Sequence, residues 1–520
     1  MVLRHSAMLY PDIPSVERLH FDIRNSVYSN TVLQTGEYPD KQTIPLQPMY
    51  TVRSLLLSAA AVPFYLVASL FSISPIPIIA LFFNSMIISL TSVVIFLFSI
   101  EIYSSKKVAF VLSLIFGVGS FIWPYHTSFW SMPLQALCLI SSAYFIYKSL
   151  HYNLPFIRNY TRLDFNVTSN SESAVSSTYD KYATNKGLYF AALGGLFLGL
   201  SVYAHPISII LVPGFVAYCF FSPMKRNKAR FGFFLTALAI SLIFQGVINE
   251  LKYGSFAEFG YGYSGSLAVH NGWHGLVGLI GSPGAGLIFF FPISILLPLA
   301  FKYMYGLNKG IFFLCAYVII VIWLYVGTSS FGFEPYAWSG AIAWGPRYLI
   351  PVLPFITLVL GSLLTHLKKI PSKRRLFLKI PIIILCVAGV YVNLVGTLVW
   401  YQYGIMYGWS KDQLSKNNEN MEIMTWNPYY SPIILHTKAL LSDFVSQIHP
   451  EDYVNTAWYW TDYGLAPCSY DVYIFCKFGI VPFGLMVVVI AVLTYIIILE
   501  IRTKPTSKDK DMFGLKSFVC

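Results

Sequence analysis

Long runs of apolar residues dominate this sequence, and polar residues gather in the stretches between them. A helix needs about 20 mostly apolar residues to cross the bilayer core, and runs of that length recur along the chain. Because the bilayer core offers no partner for free backbone groups, such runs predict helices. The pattern predicts about eleven spans, at 76–102, 108–124, 130–147, 187–203, 206–222, 231–249, 276–301, 310–328, 346–366, 380–402 and 478–500.

Composition supports a membrane protein and excludes two other classes. Hydrophobic residues make up 56% of the chain and charged residues only 11%, whereas a soluble globular protein carries about 25% charged residues. The chain therefore lacks the charge to cover a water-soluble fold of this size. Its high apolar content also excludes a disordered protein. The predicted fold class is an all-α, polytopic helix bundle.

The net charge of +12 is unevenly distributed along the chain. If successive loops alternate between the two membrane faces, most Lys and Arg residues fall on one face, including the loop 148–186 and the tail from Arg502 onward. The positive-inside rule places that face in the cytoplasm. The C-terminus is then cytoplasmic and the long segment 403–476 is external. This distribution explains the basic charge as membrane sidedness and not as nucleic-acid binding.

Two of the seven cysteines lie close together in the external segment. Cys468 and Cys476 are separated by seven residues, and neither a histidine nor a third cysteine lies nearby to complete a metal site. We interpret the pair as a disulfide, as expected outside the cytoplasm; two reduced thiols are the alternative.

Polar and aromatic residues gather at the external ends of the predicted spans. Trp and Tyr form interfacial belts in many membrane proteins, which accounts for part of this clustering without any function. The same composition suits a site that stacks sugar rings and binds phosphate. The guanidinium of Arg347 can bind phosphate oxygens bidentately, or it can snorkel to the interface. The candidate substrate-binding residues are His205, Lys252, Glu258, Tyr261, Trp344 and Arg347.

Five stretches, in this order and spacing, resemble the polytopic glycosyltransferases with the C-type fold. This broad family includes protein mannosyltransferases and aminoarabinose transferases, which use lipid-phosphate-linked sugars. The resemblance covers roughly residues 20–370 and is specific for the superfamily but not for one substrate. The stretches are Ala61 to Tyr65, Phe116 to Tyr125, Lys252 to Ser255 with Gly260-Tyr261, Ser282 to Leu287 with Pro292, and Trp344 to Pro354.

The resemblance implies an architecture for the N-terminal part of the chain. Residues 1–75 are then an external loop with interfacial helices, including an interfacial helix at 54–72. Residues 76–402 form the transmembrane catalytic core, 403–476 an external segment, and 477–520 the last span and the cytoplasmic tail. Without the resemblance, 54–72 is also long enough to span, which would make residues 1–53 cytoplasmic.

The resemblance also implies an activity. A sugar moves from a polyprenyl or dolichyl phosphate donor to an acceptor glycan, lipid or protein, with Asp22 as general base. The donor is already activated, so the scheme uses no further cofactor and no metal. The expected setting is the plasma membrane of a prokaryote, with membrane lipid around the chain.

Three alternatives stand beside this interpretation. Asp22 precedes an amphipathic stretch and can be a helix N-cap. The same aromatic and cationic surface would also suit a transporter or flippase of lipid-linked sugars. An inactive family member is the third alternative, because Met132 stands where many relatives carry Glu and no span precedes Asp22.

Overall fold

The structure is a computed structural model that describes the following parts of the chain: residues 55–72, 78–126, 128–151, 169–221, 228–257, 259, 272–328, 337–340, 343–367, 370–398 and 423–443. Every regular element among them is a helix, and no strand occurs within these ranges. The fold class predicted from the apolar runs is therefore confirmed at the level of a helical protein with several candidate spans.

Fourteen α-helices are labelled in the described parts of the chain, and a further helical turn covers residues 423–426. They are α1 Leu55–Leu70, α2 Asn84–Tyr103, α3 Lys106–Gly117, α4 Ser131–His151, α5 Ser169–Ala204, α6 Val212–Phe221, α7 Lys228–Tyr253, α8 Gly272–Gly281, α9 Leu287–Phe290, α10 Leu297–Leu307, α11 Lys309–Thr328, α12 Leu353–His366, α13 Ser372–Leu398 and α14 Pro432–Asp443. A π-turn at Ile79–Phe83 precedes α2. Short 3₁₀ turns occur at Trp123–Tyr125, Pro206–Leu211, Pro292–Leu296, Ala337–Ser339, Arg347–Val352 and Pro428–Tyr430.

Six helical segments in the described ranges are long and apolar enough to cross a membrane. They are Leu81–Tyr103, Asn185–Ala204, Lys228–Tyr253, Lys309–Thr328, Arg347–His366 and Phe377–Leu398. The total of about eleven spans remains a prediction, because the segment 478–500 lies outside the described residues. The interfacial position of α1, a helix of 16 residues that contains Pro63, also remains a prediction.

The apolar segment 276–301, predicted as one span, is divided in the structure. Helix α8 ends at Gly281, and a tight turn follows in which the Gly286 amide donates to the Ser282 carbonyl at 2.7 Å. The chain then forms the single turn of α9, the 3₁₀ turn at Pro292–Leu296 and helix α10. Proline has no amide hydrogen to donate to a helix, so Pro283 and Pro292 break the run although its hydropathy is continuous.

Contacts between side chains fix the directions of three long helices. The Ser149 and Ser142 hydroxyls of α4 donate to the Gly187 and Gly194 carbonyls of α5, each at 2.8 Å, so α4 and α5 are antiparallel. Along α5 and α7, Gly187 faces Arg230 and Gly199 faces Ser241. The earlier residue of α5 contacts the earlier residue of α7, and the later contacts the later, so the two helices run parallel.

These directions bring distant parts of the sequence to one end of the bundle. We call it the Arg347 end; it holds the start of α4 at Trp130, the ends of α5 and α7, and the start of the Arg347–Val352 turn. Lys106, Arg230 and Lys309 lie at the opposite end, where helices that run toward the Arg347 end begin. This arrangement agrees with the basic face predicted from the sequence.

The Arg347–His366 span lies at the centre of the bundle. Its apolar window is 83% buried, whereas the other five candidate spans are 22–50% buried. The outer helices instead carry exposed apolar side chains, such as Ile240 and Phe244 on α7. An apolar outer surface is what a lipid environment requires, and the central span carries Arg347 at its start.

Close packing of α5 on α7 gives a test of the fold. A Cβ added to Gly195 would lie 2.1 Å from the Phe234 carbonyl oxygen, whereas one added to Gly232 would have open space around it. We expect Gly195→Ala to lower the free energy of unfolding by about 1–3 kcal/mol through overpacking. Gly232→Ala, the matched control within α7, should be neutral or stabilise by about 0.5–1 kcal/mol. Unfolding of the purified chain in detergent measures both, and equal effects would contradict this helix pairing.

Candidate functional site

The guanidinium of Arg347 lies between aromatic rings at the Arg347 end. Its Cζ is 4.7 Å from the ring centroid of Trp130 and 4.9 Å from that of Tyr348. Its Nη2 donates to the Tyr348 hydroxyl at 3.0 Å. Its Nε is buried and has no hydrogen-bond partner among the described residues. A cation held against aromatic faces with an unused donor is suited to binding an anion.

Two glycines with left-handed backbone shape the loop that leads to Arg347. Gly340 has a φ of +88° and Gly345 a φ of +67°. A Cβ on Gly340 would lie 2.9 Å from the Arg347 Cγ, and one on Gly345 would lie 2.8 Å from the Phe290 ring. Glycine is therefore favoured at both positions for two reasons: it adopts the positive φ, and it leaves room for the neighbouring side chain.

Trp344 anchors this loop in the interior. Its side chain is fully buried, and its Nε1 donates to the Asn393 Oδ1 at 3.3 Å. The Asn393 Nδ2 in turn donates to the carbonyls of Phe290 at 3.1 Å and Gly389 at 2.8 Å. The Tyr125 hydroxyl donates to the Trp344 carbonyl at 2.9 Å. These bonds fix the backbone three residues before Arg347.

The segment 423–443 packs against the same anchor. The His436 ring centroid is 4.6 Å from that of Trp344, and His436 is fully buried. The Gly284 amide donates to the Thr425 carbonyl at 3.0 Å, and the Ser431 hydroxyl donates to the Pro283 carbonyl at 2.7 Å. The part of the predicted external segment that the structure describes is thus joined to the helical core.

His205 is held next to Arg347 as a neutral imidazole. It caps the 3₁₀ turn at Pro206–Leu211, where its Nδ1 accepts from the Ile207 amide at 3.4 Å. A ring nitrogen that accepts carries no proton, so the hydrogen of the neutral ring is assigned to Nε2. Burial, together with the smaller effect of the Arg347 charge, lowers the pKa of His205 to about 4. His205 therefore adds no positive charge beside Arg347.

Gln135 links α4 to the turn that His205 caps. Its Nε2 donates to the Ser208 hydroxyl at 2.8 Å, and both side chains are buried. Ser208 lies one 3₁₀ turn after His205, with its amide bonded to the His205 carbonyl at 3.1 Å. The helix that begins beside Trp130 and the turn that presents His205 are therefore joined by a side-chain hydrogen bond.

The structure brings together part of the predicted site. Arg347, His205 and Trp344 lie at one end, although Trp344 is a buried packing residue behind the loop. Lys252 is at the end of α7, at the same end of the bundle, with its Nζ 4.9 Å from the Tyr253 ring centroid. The remaining predicted residues lie outside the described ranges: Asp22, Glu258, Tyr261, Cys468 and Cys476.

Sequence reasoning missed Asn393, His436 and Gln135. Asn393 and Gln135 are single amides inside apolar runs, a signal that marks polar contacts between membrane helices. His436 lies in a segment without a recognisable pattern. Among the described residues, no group of three or more His, Cys, Asp or Glu is arranged to hold a metal ion.

Comparisons with known proteins add little to this description. No family model matches the chain, and no curated protein matches it. One solved structure, the archaeal oligosaccharyltransferase AglB from Archaeoglobus fulgidus in complex with an inhibitory peptide and a dolichol-phosphate, is similar with 11% identity and a TM-score of 0.41. The match covers 77% of this chain and 54% of that one. This likeness is too weak to carry an argument about fold or activity.

The neutral state of His205 predicts a pH dependence of stability. The pKa of His205 is about 4 in the folded chain, and its ordinary value is 6.5. Between these two pH values the His205 imidazole is therefore protonated in the unfolded chain and neutral in the folded chain. Acid therefore favours unfolding between these pH values. We expect the unfolding midpoint of the wild type in detergent to fall as the pH is lowered from 6.5 to 4.

His205→Asn tests the origin of this dependence. Asn keeps an acceptor at the cap position and removes the titrating ring, so its unfolding midpoint should change less with pH. His274→Asn, at an exposed histidine of the same end, is the matched control and should keep the wild-type slope. Equal slopes for wild type and His205→Asn would contradict a neutral, half-buried His205.

Proposed function

We propose that the chain is an integral membrane glycosyltransferase that uses a polyprenyl or dolichyl phosphate sugar as donor. The acceptor is a hydroxyl of a glycan, lipid or protein at the outer membrane face. The observation that carries the proposal is the Arg347 guanidinium, held between Trp130 and Tyr348 with a buried Nε that no described residue uses. The resemblance of the loop from Trp344 to Pro354 to the C-type family agrees with it.

The arrangement around Arg347 suits the phosphate of such a donor. A guanidinium presents parallel N–H groups that match two oxygens of a phosphate. The aromatic rings exclude water from one side, which strengthens the attraction between the guanidinium and the phosphate. Since Tyr348 and the Gly340–Gly345 loop fix the side chain, the cation is oriented before the donor arrives.

His205 contributes a second feature of the phosphate site. As a neutral ring protonated on Nε2, it presents a hydrogen-bond donor without adding positive charge. A donor phosphate in a diester carries one negative charge, which Arg347 balances. Transfer leaves a lipid phosphate monoester with an additional negative charge, and the His205 N–H group can donate a hydrogen bond to it beside Arg347.

The reaction follows from these roles. The oxygen of the acceptor hydroxyl forms a bond to the anomeric carbon of the donor sugar while the bond from that carbon to the phosphate oxygen breaks. Asp22 accepts the hydroxyl proton as general base. Arg347 stabilises the negative charge that develops on the departing lipid phosphate. Lys252 and Glu258 line the same end in this proposal, and Tyr261 stacks on the sugar.

The orientation in the membrane is also part of the proposal. The bias of Lys and Arg toward one face places the opposite end of the bundle and the C-terminal tail in the cytoplasm. The Arg347 end then faces outward, where a lipid-linked donor presents its sugar. A prokaryotic plasma membrane is the setting that we propose.

Arg347→Ala tests the phosphate site. A lost hydrogen bond to a charged group costs about 1.5–3 kcal/mol, so polyprenyl phosphate without sugar should bind roughly 10- to 100-fold more weakly. Arg347→Lys should be intermediate, because it keeps the charge and loses the planar fork. The matched control is Lys309→Ala at the opposite end, a cation 5.2 Å from the Tyr305 ring centroid. Binding measured in nanodiscs that is equal for Arg347→Ala and wild type would refute the assignment.

Asp22→Asn tests the general base. The substitution removes the proton acceptor and little volume, so transfer of labelled sugar should be abolished while donor binding stays within about twofold of wild type. Transfer at the wild-type rate would exclude Asp22 as the base. Movement of the lipid-linked donor across the bilayer by the wild type, without transfer to any acceptor, would establish a flippase instead.

A further inference from the structure

Two neighbouring tryptophans at the Arg347 end have indole nitrogens without partners. The rings of Trp338 and Trp426 are 6.4 Å apart between centroids and inclined by 56°. The Nε1 atoms of both are buried and make no hydrogen bond within the described part of the chain. Two other tryptophans are satisfied: the Nε1 of Trp344 donates to Asn393, and that of Trp323 donates to the Leu276 carbonyl at 3.0 Å.

Unpaired buried donors are uncommon in folded proteins, because the N–H group loses its hydrogen bonds to water and gains nothing in return. Trp338 is fully buried, so its indole nitrogen has no direct access to bulk water. Two such donors in adjacent rings therefore indicate a partner that belongs to neither the ring pair nor its described surroundings. That partner must supply acceptors.

The tryptophan pair is adjacent to the Arg347 guanidinium. Trp338 precedes Gly340 by two residues, so their Cα atoms are at most about 8 Å apart. Gly340 itself contacts the Arg347 side chain, since a Cβ there would lie 2.9 Å from Cγ. The Arg347 Nε is also a buried donor without a partner among the described residues. All three groups donate hydrogen bonds, so one extended ligand with several acceptor oxygens fits them.

Two features of the fold set the position of the rings. Gly278 of α8 leaves space for the Trp338 ring, because a Cβ there would lie 2.1 Å from Cη2. Trp426 is fixed by the bond from the Gly284 amide to the carbonyl of Thr425, the residue before it. The segment 423–443 therefore contributes one of the two indoles, which gives this part of the chain a role in the site.

We propose that the indoles of Trp338 and Trp426 form a saccharide subsite beside the Arg347 phosphate site. Indole N–H groups are uncharged donors, and they suit the hydroxyl and ring oxygens of a sugar. A phosphate is better matched by the guanidinium. The identification of the ligand as a saccharide rests on the proposed glycosyl transfer. The sugar of the donor and the sugar of an acceptor glycan share this chemistry.

The test measures two probes on the purified full chain in lipid nanodiscs. Methyl glycopyranosides of the gluco, manno and galacto series probe the saccharide subsite by saturation-transfer NMR, and polyprenyl phosphate without sugar probes the Arg347 site. Trp338→Phe and Trp426→Phe remove the N–H group and keep an aromatic ring. We expect each to weaken glycoside binding at least tenfold and to leave polyprenyl phosphate binding within twofold of wild type. Trp323→Phe, whose N–H is satisfied in the wild type, should change neither.

The outcomes separate this subsite from the proposed function. Polyprenyl phosphate binding that is retained in a variant shows that this variant folds. If Trp338→Phe fails to fold, Trp426→Phe, which changes the less buried of the two rings, still tests the subsite. The subsite is refuted if the wild type binds no glycoside of the panel, or if both indole variants bind glycosides as tightly as wild type. Glycoside binding that depends on both indoles in a chain that does not bind polyprenyl phosphate would uphold the subsite and overturn the proposed donor.

The same assay distinguishes the two possible sources of the sugar. Adding the complete lipid-linked donor, polyprenyl phosphate mannose, displaces the bound glycoside if the subsite holds the sugar of the donor. A glycoside that stays bound in the presence of the donor identifies the sugar of the acceptor. Either result supports a saccharide subsite.

Discussion

The burial of Trp344 is the interaction on which the candidate site depends. Its indole nitrogen, its carbonyl and its ring are each engaged by a different segment: Asn393 of α13, Tyr125 of the turn before α4, and His436 of α14. Loss of the hydrogen-bond partner of a buried polar atom lowers the stability of the fold by about 1–3 kcal/mol. We therefore expect these contacts to form together and to be lost together. Because Arg347 follows three residues later, its position is set by groups far away in the sequence.

Small residues provide the second constraint, because lipid does not drive helices together as water does. Gly195 and Gly199 allow α5 and α7 to approach until backbone and side-chain atoms touch. Since the two helices run parallel, their ends reach the same face, where His205 follows α5 and Lys252 lies in the last turn of α7. The small-residue packing inside the bundle therefore determines which polar side chains meet at its end.

The electrostatics of this end follow from burial as much as from charge. A second cation beside Arg347 would be unfavourable, and the imidazole of His205 is instead neutral because burial and the guanidinium both lower its pKa. Around the guanidinium, the candidate site therefore combines the charge of Arg347 with uncharged donors, including the indoles of Trp338 and Trp426. In the proposed function, this set holds the two parts of a phosphosugar separately, with the phosphate on the guanidinium and the saccharide on the indoles.

The sequence by itself determined the helical, membrane-spanning class, because every backbone group in a bilayer needs an internal partner and long apolar runs therefore form helices. It also suggested Arg347 and His205 as candidate site residues, since polar residues at the ends of apolar runs are conspicuous, and the structure places the two side by side. Only the tertiary structure decided that 276–301 is interrupted, that Asn393 holds Trp344 and that Trp426 joins the site. An isolated amide or indole has no periodicity, and which groups meet depends on helix directions and packing that no local pattern encodes.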